Sequence, residues 1–190
     1  MPLLRGNLHA HTTFSDGVRS PTALIAEYEA LGYDFLAITD HEDRVPAGYW
    51  EALRGLSSRL LLFRGVELNW ESLDQHVGRV MGDTETLHVL NHPARYKLSV
   101  EATIARRRAI GADGLRLDAV EVTDTGLYRP LYDTDEIGLV RIATDDAHRP
   151  PHFGRAWIEV DAPRNRDAII RAIRAGQFSR GFATPGTSKS

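Results

Sequence analysis

Residues 7–17 read NLHAHTTFSDG, and this stretch decides how the rest of the chain is interpreted. Residues 3–9 are typical of a β-strand, so His9 and His11, two residues apart, point to the same face. Two imidazoles that converge in this way are suited to holding one metal ion. A single His-x-His motif is also compatible with two surface histidines. Asp16, in its Ser-Asp-Gly turn, could equally be an ordinary turn residue.

Outward from this stretch, short apolar runs alternate with helical segments. Further strands are predicted at 35–39, 60–68, 77–81, 88–91, 119–123, 140–144 and 156–160. Helices are predicted from Ser20 and Pro21 to Gly32, at 47–57, at 99–110 with Gly111 as its stop, and at 166–175. Strands that alternate with helices favour parallel βαβ units, and about seven or eight strands in one small domain favour a compact β/α barrel.

Size and composition narrow the class of protein. The 190 residues suit one domain, predicted over 1–180, followed by a Gly-, Ser- and Thr-rich tail at 181–190 that is expected to be flexible. The chain has no cysteine, so a metal would be held by nitrogen and oxygen. The net charge of -3 provides no global field for nucleic acid, which is therefore not expected as a partner. With no predicted leader peptide or membrane span, a cytoplasmic protein is expected.

Further metal-ligand residue types follow the predicted strands. They occur in TDHED at 39–43, RGVELNW at 64–70, HVLNHPARY at 88–96 and TDDAHRP at 144–150. In a β/α barrel the carboxyl ends of the strands form one rim, where catalytic groups collect. We therefore expect the rim to carry His41, Glu67, His92, Asp146 and His148. Taken singly, each motif has a structural explanation: a turn or cap cluster at 39–43, an outward-facing Glu67, an acidic loop at 144–150.

Three neighbouring residues are interpreted separately. Asp40 could orient a ligating imidazole from behind. His76 is read either as a rim residue at the start of a strand or as a surface histidine. His88 shares the parity of His92 but lies deeper in its strand, so a structural role is expected for it.

In this order, NLHAHTTFSDG, AITDHED, RGVEL, NHP and DDAH resemble the motifs of the PHP (polymerase and histidinol phosphatase) domain family, over roughly residues 3–178. The resemblance implies an α/β fold, a single-domain distorted (β/α)7 barrel of the PHP type, with up to three metals on its rim. It also implies three centres, the first held by His9, His11, Glu67 and Asp146, the second by Glu67, His76 and His92, and the third by Asp16, His41 and His148. Many relatives have histidine at the position of Asp16, whereas the branch that resembles small-nucleotide phosphatases has aspartate there.

The function implied is that of a metal-dependent phosphoesterase using two to three Zn, Mn or Fe ions. The hypothesis is attack by a metal-activated hydroxide on a small phosphate monoester, nucleotides included. The catalytic residues would be Glu67, Asp146, His41 and His148. Arg44, Arg95 and Arg149 follow ligand motifs closely and are candidates for binding phosphate, with surface ion pairs as the alternative.

Two other functions stay open. A PHP-type metal hydrolase could attack a carboxyl ester, amide or carbamate, and a pocket without arginine would favour that reading. A non-catalytic metal-binding module is the third reading, which the nearly complete ligand set disfavours. The residues name neither the physiological substrate nor the oligomeric state.

Overall fold

The computed structural model describes residues 3–183 of the chain. Within them the α-helices are α1 (Pro21–Ala30), α2 (Tyr49–Arg54), α3 (Val100–Ala112) and α4 (Arg166–Arg174). The strands are β1 (Leu4–Asn7), β2 (Phe35–Ile38), β3 (Leu61–Trp70), β4 (Gln75–Met81), β5 (Thr86–Leu90), β6 (Ala119–Glu121), β7 (Thr123–Asp124), β8 (Leu127–Tyr128), β9 (Val140–Ile142), β10 (Ala156–Val160) and β11 (Phe178–Phe182).

Local signals fix most of these boundaries. Helix α1 begins as predicted, with Pro21 at its first position and the Ser20 side chain accepting a hydrogen bond from the backbone of Ala23. The predicted stop of α3 at Gly111 is wrong, because the helix continues through this residue to Ala112. Glycine inside a helix costs stability but does not end it.

Nine of the described strands form one mixed sheet in the order β11-β10-β1-β2-β3-β4-β5-β6-β9. Strands β1, β2 and β3 are parallel, as are β5, β6 and β9. Strand β4 is antiparallel to both of its neighbours, because no α-helix separates β3, β4 and β5 along the chain. The prediction of a distorted β/α barrel is confirmed, and β4, β10 and β11 pair antiparallel in addition to the parallel units that the alternation of strands and helices favours.

The sheet curves until the segments that follow β1 and β9 meet at the carboxyl rim. Ala10, beyond β1, forms a parallel bridge with Ala147, beyond β9. The backbone N–H of His11 donates to the Ala147 carbonyl at 2.9 Å, and the N–H of Ala147 donates to the His9 carbonyl at 3.3 Å. The segments that carry the opening histidines and the Asp-Asp-Ala-His motif are therefore adjacent.

The core has two layers that follow the strand alternation. Phe35 and Ala37 of β2 belong to an interior cluster with Ile169 and Ile173 of α4. The alternate residues of β2 instead pack outward with side chains of α1, α2 and α3. Helix α4 thus packs against the barrel interior, while the opposite, carboxyl rim is lined by polar residues.

The described part of the chain ends just after strand β11. Strand β11 runs to Phe182, two residues into the predicted tail at 181–190, and residues 184–190 lie outside the described residues. Between residues 3 and 183, no helix combines the length and the apolar character that a membrane crossing requires.

Candidate metal centre

The rim brings together all nine side chains that the sequence suggests as metal ligands, each with a polar atom within 3.5 Å of another member. We call this set the rim cluster: His9, His11, Asp16, His41, Glu67, His76, His92, Asp146 and His148. His76 lies on β4 and faces the cluster, which favours the rim interpretation of this residue over the surface one.

A bend turns the two opening histidines inward. Strand β1 ends at Asn7, earlier than predicted, and Leu8 still packs in the interior cluster. The Asn7 side chain donates a 2.9 Å hydrogen bond to the backbone carbonyl of His9 and another to the hydroxyl of Tyr28. The imidazoles of His9 and His11 then converge, with their Nε2 atoms 3.0 Å apart.

Glu67 lies at the centre of the rim cluster and is 1% exposed. Its two carboxylate oxygens lie 3.0 Å from His92 Nε2, 3.1 Å from His41 Nδ1, 3.3 Å from His9 Nε2 and His76 Nδ1, and 3.5 Å from His11 Nε2. One carboxylate contacts five imidazoles, so it can bridge neighbouring ions.

Asp146 closes the opposite side of the cluster. Its Oδ1 lies 3.4 Å from His9 Nε2 and 3.5 Å from His11 Nε2. Asp146 has φ 44° and His92 has φ 26°, conformations that residues other than glycine rarely adopt. Such strain persists where the surrounding structure enforces it, and it concentrates at functional sites.

Asp16 gathers a further group through its short turn. Its carboxylate oxygens lie 3.3 Å from His41 Nε2, 3.4 Å from His148 Nε2 and 3.4 Å from His11 Nδ1. Gly17 permits this turn, because a Cβ there would lie 2.3 Å from the His11 carbonyl oxygen.

Solvent reaches the rim cluster from one side. The side chains of Asp16, His76 and His148 are 34%, 22% and 19% exposed, whereas those of the other six members are at most 5% exposed. A substrate therefore approaches across the side formed by these three residues.

Glu121 is a buried supporting residue that the sequence analysis missed. Its Oε1 accepts from His9 Nδ1 at 2.7 Å and from the Thr144 hydroxyl, and its Oε2 accepts from the backbone of His92 at 2.8 Å. A carboxylate acceptor fixes a proton on Nδ1 of His9, so Nε2 is the nitrogen that would bind a metal ion in the cluster. The sequence does contain a sign of this role: Glu121 interrupts the apolar run AVEVT, just as Glu67 interrupts the apolar residues of its strand, and a buried carboxylate needs a partner.

Two other acidic residues at the rim accept hydrogen bonds from backbone and hydroxyl groups and make none with the candidate metal ligands within the described chain. Asp40 accepts from the backbone and hydroxyl of Thr12 and from Ser15, so the interpretation that it orients an imidazole is wrong. Asp145 faces away from the cluster, as its parity predicts, and accepts from Tyr28 and from the backbone of Ala156. Burial raises the pKa of Asp145 to about 6 in spite of these hydrogen bonds.

The three candidate phosphate-binding arginines occupy different positions. Arg44 donates to Asp16 at 2.9 Å, and Arg95 donates to Asp146. Both therefore lie at the edge of the rim cluster. Arg149 instead donates to His152 Nε2 at 3.2 Å, and the structure shows no contact that brings its guanidinium to the cluster within the described chain.

Opposite charges determine the ionisation of the rim cluster. Burial alone would raise the pKa of Glu67, but the neighbouring His9, His76 and His92 lower it well below its usual value. Burial alone would lower the pKa of His9, but Glu121, Glu67 and Asp146 raise it well above its usual value. The carboxylates are therefore ionised at neutral pH and present anionic oxygens to a cation.

These side chains fit divalent metal ions. Glu67 Oε2, Asp146 Oδ1 and His92 Nδ1 are buried without a hydrogen-bond partner in the part of the chain that the structure describes. Unpaired buried carboxylate oxygens are costly, and a cation removes that cost. Ligands about 2.0–2.2 Å from one tetrahedral ion lie roughly 3.3 Å apart, close to the separations seen here. Nitrogen and oxygen donors suit Zn, Mn or Fe without selecting among them.

The candidate ligand atoms fall into four overlapping groups. In each group the candidate ligand atoms lie within 4.8 Å of one another: His9, His11 and Asp146; His9, Glu67 and His92; His41, Glu67 and His76; and His11, Asp16, His41 and His148. Glu67 belongs to two of these groups, with His76 in one and His92 in the other, and the implied arrangement in three centres stays a prediction. His11 in turn joins the residues expected to hold the third centre.

Comparisons with known proteins agree with this geometry. The family model for the PHP domain matches residues 7–127, and the model described as PHP-associated matches residues 135–178. The 5'-3' exoribonuclease Rnm of Salmonella typhimurium is 30% identical over 158 residues, which are 80% of this chain and 48% of the relative. The chain thus spans about half the length of this curated relative.

Solved structures resemble the fold. A two-domain protein from Bacteroides vulgatus, described as containing a predicted PHP-like metal-dependent phosphoesterase, has a TM-score of 0.69 at 19% identity, over 95% of this chain and 65% of that one. PsfC from Pseudomonas syringae has a TM-score of 0.68 at 16% identity, over 97% of this chain and 93% of that one. At such identities the likeness concerns the fold.

Proposed function

Because the chain belongs to the PHP domain family, we propose that it is a metal-dependent phosphoesterase whose substrate is the 5′ end of an RNA chain. The observation that carries the reaction class is the rim cluster of nine nitrogen and oxygen ligands, with two arginines at its edge. At the rim cluster, candidate metal ligands, positively charged side chains and access from solvent occur together.

The two arginines supply what a phosphate ester needs. The Arg95 guanidinium contacts Asp146 and is 33% exposed, and the Arg44 guanidinium contacts Asp16 and is 51% exposed. Each can turn part of its donor fork to the oxygens of a phosphate that reaches the cluster from the open side formed by Asp16, His76 and His148. We expect Arg95 to orient the phosphate, because it is the more buried of the two.

The remaining roles fall to the cluster itself. The nine side chains would hold the ions, and divalent ions bound there supply Lewis acidity and activate water at neutral pH. His9 is held in one tautomer by Glu121, which keeps its Nε2 available as a ligand. His148 donates from Nδ1 to the backbone carbonyl of Asp146 at 3.0 Å, so its Nε2 faces Asp16 on the open side.

The relatives' names support RNA as the substrate class. The curated relatives from Salmonella typhimurium, Haemophilus influenzae and Escherichia coli are named 5'-3' exoribonucleases. These names weigh against the expectation, drawn from net charge, that nucleic acid is not a partner. A small phosphate monoester, the substrate predicted from sequence, presents the same terminal phosphate to the same residues and stays a prediction.

A carboxyl ester, amide or carbamate substrate is less consistent with the geometry. That reaction is expected of a pocket without arginine. Arg44 and Arg95 both border the cluster, and such substrates have no phosphate oxygens to satisfy their donor forks.

The proposal is tested with purified protein loaded with Mn²⁺ or Zn²⁺. A 5′-phosphorylated oligoribonucleotide, labelled at its 3′ end, should be shortened from the 5′ end, and chelation should abolish the reaction. Arg95→Ala should lower kcat/KM by about 10- to 100-fold, the equivalent of one charge-assisted hydrogen bond. Arg54→Ala, which removes an exposed arginine on α2, is the matched control and should leave kcat/KM unchanged.

Each alternative predicts a different outcome. Hydrolysis of aryl phosphates and mononucleotides but not of RNA would support the small-monoester prediction instead. Hydrolysis of aryl carboxyl esters alone would support the second enzyme reading. Metal-loaded protein that hydrolyses none of these would be a binding module.

A further inference from the structure

From the residues beside the rim cluster, we infer that single-stranded RNA follows a track of arginines and exposed aromatic rings that descends from the cluster to the seam between β9 and β11. This inference rests on the proposed RNA substrate and adds where the chain beyond the reacting nucleotide binds. We call this surface the arginine track and define it by Tyr128, Arg129, Arg141, Arg180 and Phe182.

The track begins next to the metal ligands. Arg95, which contacts Asp146, also lies 3.7 Å from Asp124 Oδ1, and Arg129 lies 3.5 Å from Asp124 Oδ2. These residues border a cavity of about 530 Å³ that also includes Lys97. The lining of this opening carries three cationic side chains and one carboxylate, and Arg95 also pairs with Asp146 at its inner edge.

Exposed apolar side chains continue the surface from there. Four of the seven exposed large hydrophobic residues in the described chain are Leu127, Tyr128, Leu131 and Phe182. The rings of Tyr128 and Phe182 lie 4.9 Å apart and are 42% and 37% exposed. Aromatic rings left open to solvent beside arginines are what stacked bases require.

Asp133 joins the aromatic pair to the seam. It accepts from the Tyr128 hydroxyl at 2.6 Å and from Arg141 at 3.0 Å, and it lies 2.9 Å from Arg180. Arg141 is on β9 and Arg180 on β11, the two edge strands of the nine-stranded sheet. A chain of direct contacts therefore runs from the rim cluster to this seam.

The seam is itself a cationic cleft. A cavity of about 890 Å³ is lined by five arginines and two aspartates. The arginines are Arg107, Arg116, Arg141, Arg174 and Arg180. It lies at the amino ends of β6 and β9, so it is separate from the metal ligands at the carboxyl rim. The molecule is weakly acidic overall, and Asp124, Asp133 and Asp135 pair with the arginines of the track. In the lining of the cleft, however, arginines outnumber aspartates, and a phosphate backbone is the complementary partner of that excess.

The test separates binding from hydrolysis. Fluorescence anisotropy with 3′-labelled, 5′-phosphorylated RNA of two, four and eight nucleotides, in buffer with chelator, measures affinity without cleavage. We expect affinity to rise with length and to fall steeply with salt. Tyr128→Leu keeps an apolar side chain without a π face and should weaken binding of the eight-nucleotide RNA by about 5- to 100-fold, the range for one lost stacking contact.

Further variants extend the test along the track. Arg180→Gln should weaken binding of the eight-nucleotide RNA and reduce its salt dependence. Both Tyr128→Leu and Arg180→Gln should leave the metal-dependent cleavage of a dinucleotide at the wild-type rate. Arg54→Ala on α2, which lies beside β3 in the middle of the sheet, is the charge control and should bind RNA as the wild type does.

Several results would overturn the track. Equal affinity for two and eight nucleotides would do so, as would wild-type affinity of both variants. Displacement of the RNA by poly-glutamate at equal affinity would indicate an acidic-peptide surface instead. Wild-type protein that binds the longer RNA through Tyr128 and Arg180 but cleaves no nucleotide would leave the track standing and refute the proposed function.

Discussion

Replacing Glu121 by glutamine is expected to weaken metal binding without unfolding the protein. The two side chains have the same shape, and Glu121 is 1% exposed, so the variant keeps the packing. Oε1 accepts from His9 Nδ1 and from Thr144, whereas Oε2 accepts from the backbone of His92 at 2.8 Å. The amide nitrogen of glutamine must replace one oxygen, and it then faces a hydrogen-bond donor wherever it points.

The least costly orientation keeps the carbonyl oxygen on the His9 side, where two donors meet. The amide nitrogen then opposes the backbone N–H of His92, and the His9 imidazole loses its negatively charged acceptor. Loss of one charge-assisted hydrogen bond is worth about 1.5–3 kcal/mol. Supporting residues of this kind typically change metal affinity by about 10- to 100-fold, which is about 1.4–2.8 kcal/mol. The energy of the lost hydrogen bond and the typical loss of metal affinity therefore agree.

The assay is competition with a chromophoric chelator at fixed pH, which gives the apparent Kd for Zn²⁺ or Mn²⁺. Glu136→Gln removes the same charge at an exposed position and should bind metal as the wild type does. Circular dichroism and the Tm of the metal-free proteins check that the variant is folded. A folded Glu121→Gln protein with wild-type metal affinity would refute the reasoning that Glu121 fixes the His9 tautomer.

Three further outcomes follow from the structure. Divalent metal at about 100 times its Kd should add about 2.7 kcal/mol and raise the Tm by roughly 5–10 °C, and EDTA should reverse this; an unchanged Tm would argue against folded-state ligation. Gly17→Ala should lower the Tm and reduce the metal content, because its Cβ meets the His11 carbonyl, whereas Gly111→Ala in α3 should be neutral or stabilising; the opposite order would contradict the turn geometry. The hydroxyl and backbone N–H of Thr84 and the backbone N–H groups of Glu85 and Asp83 hold the pKa of Asp167 well below its usual value. The stability that Asp167 contributes is therefore present above about pH 4 and is lost as the pH falls further. Asp167→Asn should lower the Tm of metal-free protein at pH 7, the difference from wild type should vanish in acid, and a difference that does not change with pH would contradict this origin.

Sequence periodicity predicts the rim well, because one simple rule governs it. Strand ends in a β/α barrel meet at one face, so His41, Glu67, His92 and Asp146 could be placed together without knowing any contact. The direction of His9 was inferred from strand parity, yet the strand had already ended at Asn7. The convergence of His9 and His11 depends on a bend that Asn7 supports through Tyr28, a contact between residues far apart in sequence.

Other features depend on tertiary structure that no local pattern encodes. Strand β11 contains Arg180 and Gly181, which interrupt any apolar alternation, and it forms because its backbone pairs with β10. The overall net charge did not indicate the arginine track, because a sum over the chain carries no information about where charges gather. Arg141 and Arg180 meet at one aspartate only after the barrel has curved.

The bridge between Ala10 and Ala147 also has a kinetic consequence. Metal ligands lie on both sides of this closure, so no metal group that includes both His11 and His148 exists until contacts spanning almost 140 residues have formed. Pairings of such long sequence separation are slow to form, because the chain loses loop entropy before it gains contacts. During synthesis at roughly 5–20 residues per second, the early histidines are made about 7–27 seconds before their partners. Metal capture by the two groups that contain Asp146 or His148 is thus a late event that reports on completion of the barrel. Metal bound by these groups should therefore slow unfolding more than it speeds folding.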